Sequence, residues 1–236
     1  MTFDDLIAKD DAIPLSTTFY DHQPHINPFM RGFACHVLCD MALDEGMRIK
    51  MDTYFLATTL LDRYLAITPV STHELYLFGA ASLVAASKYE EIYTLRLEAL
   101  CARNRNIFNV DMLLNAEATL LLTLQFRVSV ANISTLAHTM IVDQDPPASP
   151  KQRQLLLYLL TTLSLQTYYG QYRQSLLAAA AVYISRVAFA IPTGEPNTAV
   201  RDTLPLVLAA VEENKNPAVQ FGCALRETFA QPRFGG

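Results

Sequence analysis

Charged side chains set inside apolar runs are where chemistry can first be sought in this sequence. Arg31 and Asp62 each interrupt a mostly apolar stretch, Lys88 closes another, and Glu117 opens a fourth. An unpaired charge inside a protein is costly, so each of these needs a partner or water. For Arg31 and Asp62 the residues alone leave both readings open: a buried pair or two solvated charges. Asp44-Glu45, Glu90-Glu91 and Glu212-Glu213 are adjacent carboxylates. Neighbours on a helix point about 100° apart, which suits solvated helix ends better than a pair sharing one substrate. His22, His25, His36, His73 and His138 are scattered, with no nucleophile or carboxylate at motif spacing. Phosphate-loop, dinucleotide, zincin and nucleophile-elbow motifs are missing. These residues describe a non-enzymatic protein without a cofactor. The alternative is a helical enzyme whose site only the fold assembles.

Cys35, Cys39, Cys101 and Cys223 form no CxxC pair. Cys35 and Cys39 stand one helical turn apart, with no histidine pair at ligand spacing beside them. Buried thiols are expected rather than a metal site.

The elements that must position these side chains are helical. Hydrophobic residues make up 51% of the 236, charged residues 17%, and there are only 8 glycines. Leu and Ala dominate, and both favour helix. Prolines at 24, 28, 69, 146, 147, 150, 192 and 196 divide the chain. Between them the spacing predicts helices at 29–46, 51–67, 73–88, 96–102 and 109–123. A second set follows at 132–143, 150–166, 170–189, 199–213 and 216–230. Ser71 or Thr72, and Ser149 followed by Pro150, mark helix starts. The third helix of each set is rich in small residues and apolar nearly all round: Gly79-Ala80-Ala81 in one, Ala178 to Ala181 in the other. Such a helix belongs in the middle of its neighbours. The expectation is an all-α chain with an extension at 1–28 and two five-helix domains, 29–130 and 131–236.

The formal net charge is −5, and no Lys/Arg run offers a face for phosphates, so no nucleic-acid partner is expected. The N-terminal MTFDDLIAKDD is acidic where a signal peptide is basic. Residues 154–172 lack formal charge but are interrupted by Gln, Thr, Ser and Gly, which reads as a buried helix rather than a membrane span. An intracellular protein, in nucleus or cytoplasm, is expected.

Four segments carry a family resemblance: QPHINPFMR (23–31), LLDRYL (60–65), LYLFGAASLVAASKYEEI (75–92) and NAEATLLLTLQFRV (115–128). They resemble the first cyclin box of A- and B-type cyclins. LLLYLLTTLSLQTYYGQYRQSLLAAAAVYISRVAF resembles the second box. The resemblance covers roughly 20–190 and implies a tandem cyclin fold. It implies a regulatory subunit that binds and activates a cyclin-dependent protein kinase. A transcription-associated protein of the same fold is the nearest alternative. It also implies that Arg31 and Asp62 form a buried ion pair. Lys88 and Glu117 would lie side by side at the kinase surface. Ala85, Tyr89, Ile92, Leu121, Phe126 and Val128 would form the apolar ground beneath the kinase αC helix. Glu91 and Ile92 would touch the activation segment. For Tyr89, Leu121 and Phe126, plain core filling is the competing reading.

The family's groove for RxL-type peptides maps onto Met30, Phe33, Ala34, Val37, Asp40, Leu75 and Tyr76. Ala34 stands where the family has Leu, Val37 where it has Trp, and Tyr76 where mitotic cyclins have Gln. Two extra residues fall between Met30 and Asp62, near ALDEG. Weak peptide binding is therefore expected. No RxxL stands before residue 29, so the family's N-terminal destruction box is not matched.

Overall fold

The computed structural model describes residue 8 and residues 22–44, 46–142 and 144–215. Among them are nine α-helices and no strand. We number the helices α1 (Pro28–Leu43), α2 (Met51–Leu65), α3 (Thr72–Glu90), α4 (Leu97–Arg103), α5 (Val110–Thr123), α6 (Ile133–Val142), α7 (Pro150–Ser164), α8 (Gln174–Ala188) and α9 (Thr198–Lys215). The chain divides into two compact units, one spanning 13–130 and the other holding 131–236. The helix expected at 216–230 lies outside the described residues.

Local chemistry explains most of the boundaries. Asn27 caps α1, its side chain accepting from the Met30 N–H, with Pro28 in the first turn. The helix stops at Leu43, earlier than expected. Asp44 turns extended and its Oδ1 takes the Gly46 N–H at 2.8 Å, which favours a turn over another helical residue. α3 opens on a full capping box: Ser71 accepts from the Glu74 N–H, and the Glu74 carboxylate accepts from Ser71. Asn109 caps α5 and Ser149 caps α7. The expected helix at 170–189 is divided. Tyr169–Gln171 forms a 3₁₀ turn, Tyr172 is extended, and α8 begins at Gln174. Tyr169 is buried and the Tyr168 hydroxyl donates to Leu206 O at 2.9 Å, so tertiary anchoring overrides helix continuation there.

In the 13–130 unit, α3 packs against α1, α2 and α5. From Phe78 to Ser87 every residue of α3 is buried. In the other unit α8 is central, packed against α6, α7 and α9, with Ala178, Ala180 and Ala181 buried. Each central helix uses small side chains so that neighbours can approach closely on all sides. Several buried polar groups in these cores are satisfied by near neighbours. Thr58 and Thr59 donate to Phe55 O, and Gln144, Gln152 and Ser185 form a buried network.

Gln23 is a further buried polar anchor. Its Nε2 donates to Leu65 O and Thr68 O, and its Oε1 accepts from the Val70 N–H at 2.9 Å, which pins the α2–α3 connection. No described helix is long and apolar enough to cross a membrane.

Candidate functional site: a charged pair on an apolar face

α3 is enclosed from Phe78 to Ser87, and Lys88, Tyr89 and Glu90 emerge at its last turn. A lysine there also suits the negative end of the helix dipole. α5 faces the core with Leu113, Ala116, Glu117 and Leu120. Glu117 is thus a carboxylate on a buried stripe. Lys88 Nζ lies 2.7 Å from Glu117 Oε2, and the two side chains are 45% and 6% exposed. The lysine compensates the buried carboxylate while keeping its own head half in water.

Exposed apolar residues follow or flank both members of this pair in the chain. Ile92, Tyr93, Leu122 and Phe126 expose 88%, 87%, 66% and 65% of their surface, and Tyr89 and Leu114 are also exposed. Leu121 and Val128 are half-buried. Of the residues expected here, Tyr89, Ile92 and Phe126 are outward-facing, so they are not core filling. Ala85 is buried, one turn below Lys88, and offers packing depth rather than contact surface. Leu114, Ala118, Leu122 and Tyr93 were not anticipated. The first three are all exposed and recur at four-residue spacing, a helical stripe readable in the sequence once one face of α5 is known.

Glu91, expected by resemblance at the activation segment, has its carboxylate engaged within the chain. Its side chain is 7% exposed. Oε1 accepts from the Lys50 N–H at 2.8 Å and from Thr53 Oγ1 at 2.6 Å. Lys50 is the N-cap residue of α2 and supplies no side-chain cap of its own. Glu91 therefore caps α2 from the residue that follows α3. Burial pushes its carboxyl up, but the bonds from Thr53 and Lys50 outweigh this and hold it below the ordinary range.

Phe126 is presented by an unusual turn. Gln125 and Phe126 have φ of 53° and 56°, the left-handed region, and the Phe126 N–H returns to Leu121 O at 2.8 Å. Each such non-glycine residue costs roughly 1–2 kcal/mol. Arg63 Nη1 donates to Arg127 O at 2.6 Å and holds the turn from α2.

Residues 2–129, more than half of the chain, match the family described as "Cyclin, N-terminal domain". The chain belongs to the cyclin family. Cyclin-A3-4 of Arabidopsis thaliana is 32% identical over 183 residues, 76% of this chain and 49% of that protein. The G2/mitotic-specific cyclin-B of Dictyostelium discoideum is 29% identical over 181 residues, 75% of this chain and 40% of that protein. The chain thus spans about half or less of the length of these relatives. A viral cyclin from herpesvirus saimiri superposes with a TM-score of 0.71, covering 96% of this chain and 97% of that one at 15% identity. That likeness concerns the fold.

Two further features of this cyclin lie in the same unit. Arg31 Nε and Nη2 bond the two Asp62 oxygens at 2.8 and 2.5 Å, with the arginine side chain 3% exposed. This bidentate pair joins α1 to α2. At the mapped peptide groove, Leu75 is fully buried and Ala34 nearly so; both belong to the core. Met30, Phe33, Val37 and Tyr76 are half-buried and Asp40 is exposed. The Phe33 and Tyr76 rings meet edge to face with centroids 6.0 Å apart. Ala34, Val37, Tyr76, Gly79 and Asn104 help line a pocket of about 10 Å³, room for about one water. Asp40 leans on His36 at 3.4 Å; burial pushes the imidazole down, so it is neutral at pH 7.

Cys35 and Cys39 are buried beside this region, and burial pushes the Cys35 thiol up to about 12, which makes it inert. Among the described residues no group of three potential metal ligands lies together.

Proposed function

We propose that this cyclin-family chain is the regulatory subunit of a cyclin-dependent protein kinase and acts by position rather than by chemistry of its own. The observation that carries this is the bare apolar face of Tyr89, Ile92, Leu122 and Phe126 around the Lys88–Glu117 pair. A protein kinase works only when its αC glutamate meets the β3 lysine and its activation segment is ordered. Burying αC against the apolar face favours that arrangement by differential binding. Lys88 has three donors, of which Glu117 takes one, so its ammonium can serve backbone acceptors at the rim of the helix. An apolar centre with a charged edge is a common interface plan. The peptide groove is a weak accessory site, reduced by small Ala34 and Val37 and by the Phe33–Tyr76 contact. Nucleic acid and membrane are not partners, and the protein acts inside the cell.

The test is capture of the tagged chain from its source cell, with identification of the co-purifying kinase, repeated with Lys88→Glu. The wild type should bring down a cyclin-dependent kinase and Lys88→Glu should not. Because Glu117 is buried, this substitution also costs about 1–3 kcal/mol of stability. A circular-dichroism melt must show the variant folded at the capture temperature. A folded Lys88→Glu protein that activates the kinase normally would overturn the reading.

A further inference from the structure

Two side chains outside the apolar face hold its edges, and both act through one helix. Glu91 immediately precedes Ile92 and Tyr93, two of the most exposed apolar residues of the chain. Its carboxylate is committed to the first turn of α2 through Lys50 N–H and Thr53 Oγ1. At the other end of α2, Arg63 grips the carbonyl of Arg127, the residue between Phe126 and Val128. That turn is already confined by its left-handed backbone and the Phe126 N–H to Leu121 O bond. Between the two anchors, Tyr54, Phe55, Leu56, Leu60 and Leu61 are almost wholly buried, so α2 cannot shift without disturbing the core. Thr53 and Arg63 are ten residues apart, about 15 Å along a helix axis.

We propose that α2 is a strut that sets the separation between the Ile92 edge and the Phe126 edge of the face, with Glu91 and Arg63 as its positioning residues. This rests on the kinase-binding reading above and adds to it. A rigid spacer matters because a helix docked between the two edges meets both at once. Loosening either edge makes the partner supply the ordering on binding, and affinity falls. Glu91 then contributes through hydrogen-bond geometry rather than through charge offered to the partner. Both of its short bonds are accepted by Oε1, which a glutamine can reproduce; the 3.4 Å contact of Oε2 with the exposed Lys50 ammonium needs the carboxylate.

The experiment compares Glu91→Ala, Glu91→Gln, Arg63→Ala and Lys88→Glu in the full chain. Each is titrated with a monomeric cyclin-dependent kinase purified without its own cyclin. Amide hydrogen exchange is measured on each free protein. Glu91→Ala and Arg63→Ala should weaken kinase binding about tenfold or more, while Glu91→Gln stays within about twofold of wild type because its amide oxygen keeps both bonds. Exchange should speed up at 92–95 in Glu91→Ala and at 126–128 in Arg63→Ala, with the middle of α3 unchanged. If Glu91→Gln binds as poorly as Glu91→Ala while its exchange at 92–95 stays as in wild type, charge rather than position is what the partner reads, and the inference is overturned. Faster exchange there would trace the loss to the Lys50 pair and keep the strut. If Lys88→Glu loses binding while both alanine variants bind as wild type, the strut is wrong and the kinase face stands. If Lys88→Glu binds normally, the kinase face is wrong. Exchange then decides alone, and unchanged rates at 92–95 and 126–128 would end the strut as well.

Discussion

Arg31 reaches Asp62 through two parallel hydrogen bonds while almost completely shielded from water. Removing the arginine leaves a carboxylate without its counter-ion. Arg31→Ala should therefore lower stability by about 3–5 kcal/mol, read from urea denaturation. Glu91 makes a pH-dependent prediction. Its carboxyl titrates below the ordinary range when folded, so the unfolded chain binds more protons in the interval between the two values. The stability it contributes is complete above its unfolded pKa of about 4.3 and is lost as pH falls through the lower folded value. Glu91→Gln should flatten the stability–pH curve in that acidic window and lower stability by a constant amount from there up to neutrality. Denaturant titrations across pH 3–7 check this.

At the scale of the helix, α3 and α8 illustrate how small side chains become central. Gly79 is not there to avoid a clash: an added Cβ would meet only Leu38 and Leu61 methyls at 3.8–3.9 Å, ordinary contact. Gly79→Ala should stabilise by about 0.5–1 kcal/mol through helix propensity. Ala81 is fully enclosed, so Ala81→Leu should destabilise by about 1–3 kcal/mol or more by overpacking. Thermal melts of the two variants should move in opposite directions. The small-residue runs were legible as the centres of their sets because composition and helical period are local properties. The break before Gln174 was not legible, because buried Tyr169 and the bond from Tyr168 to Leu206 lie between distant segments.

For the molecule as a whole, a net charge of −5 with no basic run predicts no retention on duplex DNA at about 0.15 M salt, tested by fluorescence anisotropy. The mapped peptide groove predicts weak binding of an RxL peptide. Its pocket holds little more than one water, and two of its expected lining residues, Ala34 and Leu75, are buried in the core. Calorimetric titration against a Trp-bearing cyclin provides the comparison. Affinity equal to that protein's would show that the Phe33–Tyr76 contact opens readily.

The sequence by itself determined the all-helical class, most helix starts and the small-residue centres of both sets. Each follows from short-range rules of spacing, capping and propensity. It also marked Arg31, Asp62, Lys88 and Glu117 as charges that required an account, because a charge in an apolar run is legible without coordinates. Tertiary structure decided which apolar residues face water. α3 is apolar nearly all round, so nothing in its pattern separates buried Leu75 and Ala85 from exposed Tyr89. Only the packing of α1, α2 and α5 around it does so. Tertiary structure also decided that Glu91 turns inward. Lys50 and Thr53 lie about forty residues away in the chain and meet it only because α2 and α3 pack side by side.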